Sequence, residues 1–387
     1  MKHITAELFE WGRYEPLGRL DRNGWFVVGK VGEPGVVVDP VPLNEGDREH
    51  IQELGGVAAV VLTGDLGDQA REAAWWQREA GCAVYAPEAA VKVLGEAVLT
   101  DVRGYKAWDQ LPGGLIPIAV PNAVPEMMAD AAQGEAARMA LFHRGSRAWL
   151  VGSLLVGAPV GTLSLPAEVL EGGVERTAAA ARGLRTLLGV WMERVLVGRG
   201  TSICREVTAP LQDVVYRHDP EAFVLRPGEA TFGPPFEGGT GYGRRSAEYA
   251  RLLGLKTLDF DLQEVMPGRR STGVHRHDGE EEAFVILSGE GEVHVLPPGE
   301  KAVRRVPVAA GDVVAFPPRY QIAHSFKNTG TEPLRFFAFS ALSGEAVGMI
   351  DYPLSGKHLE YTDYGKMRRY FLPERVNVPY FEGEPEG

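Results

Sequence analysis

A chain of 387 residues, 44% hydrophobic and 24% charged, has the composition of an ordinary globular protein and the length of two or three domains. A formal net charge of −12 argues against nonspecific nucleic-acid binding, and no apolar run approaches the length of a membrane helix. Cys82 and Cys204 stand far apart, match no metal-ligand spacing and read as reduced core residues of a cytoplasmic protein, and the N-terminus carries no apolar signal core.

Residues 25–39 read as two strands joined by a Gly/Pro turn, the second ending at Asp39. A short helix is expected at 47–54, then a buried strand from Val57 to Leu62. The loop Thr63–Gln69 leads into a helix over 70–81, with Asp68 placed to cap it, and a strand over 82–87 follows. The same succession returns later: strand and turn at 147–156, a helix over 173–189, and a strand from Arg194 to Val197.

This order resembles the metallo-β-lactamase fold, an αββα sandwich, over residues 1–222. The resemblance places histidine ligands in the loop T-G-D-L-G-D-Q, but Gly64, Leu66 and Gln69 occupy those positions and only Asp68 matches. V-P-N-A-V-P carries Ala123, V-G-S-L-L carries Ser153 and V-G-R-G carries Arg199 where the family has its remaining ligands. Zinc needs imidazole, thiolate or carboxylate donors, and glycine, leucine, alanine and arginine offer none. The four histidines of this part, His3, His50, His143 and His218, lie elsewhere. The expectation is a domain with no zinc and no hydrolytic metal chemistry. Arg199 would put a positive charge in the old cleft, which reads as an inert scaffold or as an anion or partner pocket.

Residues 223–245 are rich in Gly and Pro and read as a linker whose aromatics pack along a surface. A helix is expected over 246–255, and the first strand of a further domain runs up to Val265. His275 and His277 are two apart, so on a strand both face one side. Asp278-Gly279-Glu280 reads as a turn, with Glu280 and Glu281 as a solvated acidic pair. The next strand aligns Glu282, Phe284 and Ile286, and Gly289 follows it. His324 is in phase with Phe326 and Asn328, and His294 reads as a wall residue. Residues 351–387 are aromatic and proline-punctuated. They are expected to wrap over the barrel or onto a partner subunit, with the last six, EGEPEG, disordered.

The H-x-H, Glu282, Gly289 and His324 pattern is similar to the two motifs of the cupin superfamily, over about residues 246–387. It departs from them in two places: six residues, one more than usual, separate Gly268 from His275, and Arg319 stands where the second motif has glycine. The resemblance implies an α+β two-domain chain whose C-terminal part, 246–387, is a double-stranded β-helix, a β-barrel of jelly-roll type. It implies a site of His275, His277, Glu282 and His324 for one divalent transition metal, Fe, Mn, Ni, Cu or Zn, a set that suits Ca or Mg poorly. No catalytic residue is assigned. Arg319 and Tyr320, on the lengthened loop, are candidates to hold an anionic small-molecule substrate. Two functions stand open. One is a metal-dependent dioxygenase or isomerase acting on a small polar molecule. The other is a non-catalytic ligand-binding or sensing protein whose N-terminal pseudoenzyme domain serves dimerisation or docking. Edge pairing of such barrels suggests a homodimer.

Overall fold

The structure, a computed structural model, describes all residues except 17, 65–67, 98, 122–138, 191, 227, 231, 234, 239–240, 256, 342–346, 363–366, 373–374 and 386–387. The chain divides into two compact units, Met1–Val224 and Leu225–Gly387.

In the first unit, Lys2–Thr5 (β1), Leu8–Glu15 (β2), Leu20–Val27 (β3) and Gly35–Val38 (β4) pair antiparallel in order. Val57–Val61 (β5), Ala83–Pro87 (β6) and Val102–Tyr105 (β7) continue the sheet in parallel, joined through the helices Glu45–Glu53 (α1), Asp68–Ala80 (α2) and Glu88–Ala97 (α3). Parallel strands need such crossovers, and both of their faces become buried. Phe9, Trp11, Phe26, Val37, Ile51, Val60 and Trp76 form the core on the helix-bearing face. Leu8, Trp25, Val36, Val38, Val61, Leu141, Leu150 and Leu196 form a second core on the other. That face meets a four-stranded sheet of Leu115–Ala119 (β8), Met139–His143 (β9), Ala148–Leu150 (β10) and Arg194–Leu196 (β12), ordered β12-β10-β9-β8. Each fully buried Leu, Val or Phe here contributes about 1.5–3 kcal/mol. Val156–Gly157 (β11) and Arg199–Gly200 (β13) join the first sheet beside β3.

Local signals explain the ends of α1. The Asn44 side chain accepts from the Asp47 amide at 2.8 Å, and acids occupy the first turn. Gly24 is required because Trp11 crosses it: a Cβ there would lie 2.8 Å from the indole. The helix expected over 173–189 is interrupted at Leu184, giving Val174–Gly183 (α5) and Arg185–Leu188 (α6) after the short Ala167–Leu170 (α4). Buried Arg185 donates to the carbonyls of Val224 and Glu221, next to Thr208–His218 (α7). Cys82 is buried, Cys204 is half-buried, and both are free thiols.

The second unit is almost all strand. Its six-stranded sheet runs in the order Phe236–Gly238 (β14), Tyr242–Glu248 (β15), Leu258–Val265 (β16), Leu334–Ala341 (β23), Glu281–Ser288 (β18), Val313–Phe316 (β21). A three-stranded sheet pairs Glu290–Leu296 (β19) with Arg304–Ala309 (β20) and Ala323–Asn328 (β22). A five-stranded sheet follows the order Arg276–His277 (β17), Val347–Tyr352 (β24), Lys357–Thr362 (β25), Met367–Leu372 (β26), Arg375–Val376 (β27). Val265, Phe284, Ile286, Val293, Phe326, Leu334 and Phe336 form the core. Gly289 turns β18 into β19 at φ +85°, and a Cβ would meet the Pro333 carbonyl at 2.7 Å.

Two expectations fail here. The helix over 246–255 shrinks to Tyr249–Leu252 (α8), because Arg244 to Glu248 pair with Val265 to Asp261 and the ladder outweighs local helix propensity. Residues 382–385, expected to be disordered, have a place in the fold: the Glu384 carboxylate is buried against Lys357, whose side chain is fully covered. Phe236 and Tyr242, from the Gly/Pro-rich stretch, stack on Phe381 of that tail.

Candidate metal centre

The two histidine segments are held together by backbone. His275 and His324 form an isolated antiparallel bridge, with amide-to-carbonyl distances of 3.0 and 2.7 Å in the two directions. Their rings lie 5.0 Å apart, and the His277 ring lies 5.2 Å from that of His275. Glu282 enters from β18, opposite Phe316 and Ser340. Its Oε2 is 3.1 Å from His324 Nε2 and 3.4 Å from His277 Nε2. Donor atoms of His275, His277 and Glu282 all lie within 4.8 Å of one another, close enough to share one ion.

Protonation suits a cation. His275 Nδ1 lies 2.9 Å from the Gly273 carbonyl, which only accepts, so Nδ1 carries the proton and Nε2 keeps its lone pair. Burial, reinforced by the neighbouring His324 and His277, lowers the His275 pKa to about 3, so its ring is neutral. Burial alone would raise Glu282. The neighbouring His277 and His324, the latter through a hydrogen bond, outweigh it and bring the pKa down to about 2, so the carboxylate is ionised. His324 is buried with its ring stacked on Phe316 at 3.8 Å, and its Nδ1 has no hydrogen-bond partner among the described residues. Three imidazoles converging on one carboxylate form a donor set for a divalent transition metal.

An open cavity reaches this group, with about 210 Å³ of empty space including its solvent-connected mouth. His277, His324, Glu282, Glu280, Arg276 and Gln321 line it, against Phe316, Pro317, Pro318 and Ile322. Arg319 and Tyr320 are exposed, stack on each other at 4.6 Å and are not among the lining residues. Arg276, not singled out from the sequence, is. It forks onto Asp351 at 2.9 and 3.2 Å, and Asp351 in turn contacts His358. Glu280 is not solvated. It is 8% exposed, accepts from Tyr361 at 2.6 Å, and stands 2.8 Å from His277 Nδ1. Tyr361 lies on β25, so no local pattern could have revealed it. His294 is buried and paired with Glu292.

In the first unit, Gly64 adopts φ +111°, and Gln69 accepts from Arg22 at 3.0 Å. Ser153 is buried, with no hydrogen-bond partner for its hydroxyl among the described residues. Leu66, Ala123 and the side chain of Asp68 lie outside the described residues. Asp39, fully buried, accepts from the amide of Thr63 at 2.8 Å and from its hydroxyl. Among the described residues no helix is long and apolar enough to cross a membrane.

Comparison with known proteins assigns both units. The metallo-beta-lactamase superfamily profile matches residues 1–217, and the cupin domain profile matches 261–340. An oxalate-binding protein of Thermotoga maritima is 36% identical over 101 residues, covering 25% of this chain and 76% of the relative. Among solved structures, a predicted oxalate decarboxylase from Thermotoga maritima is 31% identical, over 31% of this chain and 99% of that one, with a TM-score of 0.26. A sugar phosphate isomerase of the cupin superfamily from Silicibacter pomeroyi is 17% identical, over 40% of this chain and 96% of that one, with a TM-score of 0.34. The chain therefore belongs to the metallo-beta-lactamase superfamily through its N-terminal unit and carries a cupin domain in its C-terminal unit.

Proposed function

We propose that the cupin domain holds one divalent transition metal through His275, His277, Glu282 and His324, and there binds a small carboxylate of the oxalate class. The convergence of three histidines on an ionised, largely covered glutamate carries the metal assignment. The 36% identity to an oxalate-binding protein supports the ligand class. When bound, the ion supplies a Lewis acid for anionic oxygen donors. The chain's own part is to orient and select. Arg276 uses two donors on Asp351, which fixes the guanidinium at the cavity, and its remaining N–H groups can take a ligand carboxylate. Gln321 adds a neutral donor at the mouth, and Phe316, Pro317 and Ile322 exclude water on the other side. The small volume favours ligands of a few heavy atoms. Arg319 and Tyr320, on the turn before Gln321, are assigned to the outer rim.

We read the first unit as an αββα sandwich without hydrolytic metal chemistry, since Gly64, Gln69, Ser153 and Arg199 stand at the family's ligand positions. An oxygenase or isomerase would use the same four cupin ligands, and oxygen uptake or isomer formation on a bound substrate would distinguish it from a binding protein.

The test is elemental analysis of the protein beside His277→Ala and His324→Ala, followed by calorimetric titration with oxalate. About one equivalent of Fe, Mn, Ni, Cu or Zn is expected per chain, lost in both variants with the barrel still folded. Oxalate affinity should fall with the metal and also in Arg276→Gln. Equal, low metal in all proteins after anaerobic reconstitution would refute the metal assignment, and full metal without oxalate binding would refute the ligand class.

A further inference from the structure

Two of the three candidate ligand rings have an oxygen close to Nδ1, and the two oxygens differ in kind. The Gly273 carbonyl that holds His275 is backbone, and no substitution at position 273 removes it. At His277 the oxygen belongs to a side chain. Glu280 Oε2, three residues on, lies 2.8 Å from Nδ1, while Nε2 faces Glu282 at 3.4 Å. His277 thus stands between two carboxylates, one at each ring nitrogen.

Glu280 is built into that position. It is buried, and its other oxygen, Oε1, accepts from the Tyr361 hydroxyl at 2.6 Å. Tyr361 of β25 lies directly opposite Gly348 of β24, and its side chain crosses that glycine. A Cβ on Gly348 would overlap the Tyr361 hydroxyl and the ring carbon that carries it, so the approach needs glycine. The same strand β24 holds the histidine: Ile350 pairs with His277, and the Asp278 amide donates to the Met349 carbonyl at 3.1 Å. Backbone pairing therefore places His277, and one path of side chains, over Gly348 through Tyr361 to Glu280, places an oxygen at its Nδ1. An acid that merely solvates a turn needs neither the cover nor the cleared path.

An imidazole that gives one nitrogen to an ion carries its proton on the other. An acceptor for that proton fixes the tautomer and the rotation of the ring, and raises the basicity of the ligating nitrogen. We propose that Glu280, steadied by Tyr361, is a positioning residue for the metal centre: it accepts a hydrogen bond from His277 Nδ1–H and so leaves the Nε2 lone pair for the ion. The proposal rests on the four-ligand reading above and adds to it a residue that touches no metal.

The experiment is zinc titration of the full chain against a competing chelator, for wild type, Glu280→Ala, Glu280→Gln and Tyr361→Phe. Nitrogen-labelled histidine then reports the ring N–H groups of the zinc-loaded proteins by NMR. Loss of such a support costs about 10- to 100-fold in metal affinity. Glu280→Ala is expected near the upper end, Glu280→Gln, which keeps an acceptor without the charge, near the lower end, and Tyr361→Phe at a few fold. Wild type should show a hydrogen-bonded N–H proton for His277 beside that of His275. In Glu280→Gln the His277 signal should move upfield, while the His275 signal, held by the Gly273 carbonyl, should stay. A merely structural Glu280 would change the melting temperature and leave both signals in place. Should Glu280→Ala fail to fold, Glu280→Gln and Tyr361→Phe carry the same two readouts. Zinc affinity of Glu280→Gln within about threefold of wild type, or an unmoved His277 signal, would overturn the proposal with the four ligands intact. Complete loss of zinc in Glu280→Gln would overturn it as well, by making Glu280 a ligand. A wild type that binds no zinc would defeat the four-ligand reading itself, and the proposal with it.

Discussion

Removing the Glu384 carboxylate should loosen the cupin domain and its metal centre together. Lys357 has no exposed side-chain surface, and its ammonium donates to Glu384 at 2.7 Å, to the Glu382 carbonyl at 3.2 Å and to the Tyr380 carbonyl. The rings of Tyr352 and Tyr380 lie 4.9 and 5.5 Å from it. Breaking a buried ion pair from one side costs about 3–5 kcal/mol. The two carbonyls and two rings still solvate the cation in Glu384→Ala, so the low end, about 3 kcal/mol, is expected. The effect reaches the site because the Glu384 carboxylate packs where a Cβ of Gly273 would be, and the Gly273 carbonyl holds His275 Nδ1. Tyr352 also stacks on the His275 ring at 5.7 Å. Metal affinity should therefore fall about tenfold, as it does when an outer support of a ligand is lost. All seven tryptophans precede residue 192, so their fluorescence in urea reports the first unit alone. Its midpoint should not move, while amide exchange over Val347–Thr362 should accelerate by roughly a hundredfold. Lys357→Met/Glu384→Leu should recover most of the loss. Exchange rates and metal affinity of Glu384→Ala both equal to wild type would refute the reasoning, since a docked tail and a charged Lys357 cannot both survive that change unaltered.

Three further outcomes follow from single contacts. Burial raises the Glu248 carboxyl from 4.5 to about 7, opposed by Arg251 and Arg244 and aided by Asp261 and Asp259. The folded state thus keeps a proton that the unfolded chain releases, so this stabilisation is full below pH 4.5 and is lost as pH rises through 7. With a third of the side chain in solvent it amounts to about 1–2 kcal/mol, and Glu248→Gln should flatten the fall; parallel pH profiles of urea midpoints would count against this. Thr63→Val removes a hydroxyl donor from buried Asp39 and should cost the first unit about 1–3 kcal/mol by tryptophan fluorescence; an unchanged midpoint would contradict the assigned hydrogen bond. Converting Gly64, Leu66 and Gln69 together to histidine should not create tight zinc binding. Position 64 sits at φ +111°, which a side chain strains, and Ser153 and Arg199 remain non-ligands. One tightly held zinc in that protein would refute the argument.

What could be read from the residues was governed by short-range periodicity. His275 and His277 share a face through the two-residue period of a strand, Glu282 runs in step with core residues Phe284 and Ile286, and His324 with Phe326. Gly289 marked a turn where a side chain has no room. Readings failed where the deciding partner is remote. Glu280 and Glu281 look like a solvated acidic pair until Tyr361, 81 residues on, covers Glu280. Residues 246–255 favour a helix in isolation, but β16 supplies ladder partners that local propensity cannot anticipate. Arg276 sits between two legible histidines and still escaped notice, because what turns it from a spacer into a fixed cavity cation is Asp351, 75 residues away. The four candidate ligands fall in two short segments, each with its own period, and so are visible as chemistry. In the proposed reading, selectivity for what they bind rests on Arg276 and the cavity wall, and the pairings that place these run across the domain, where no local pattern shows them.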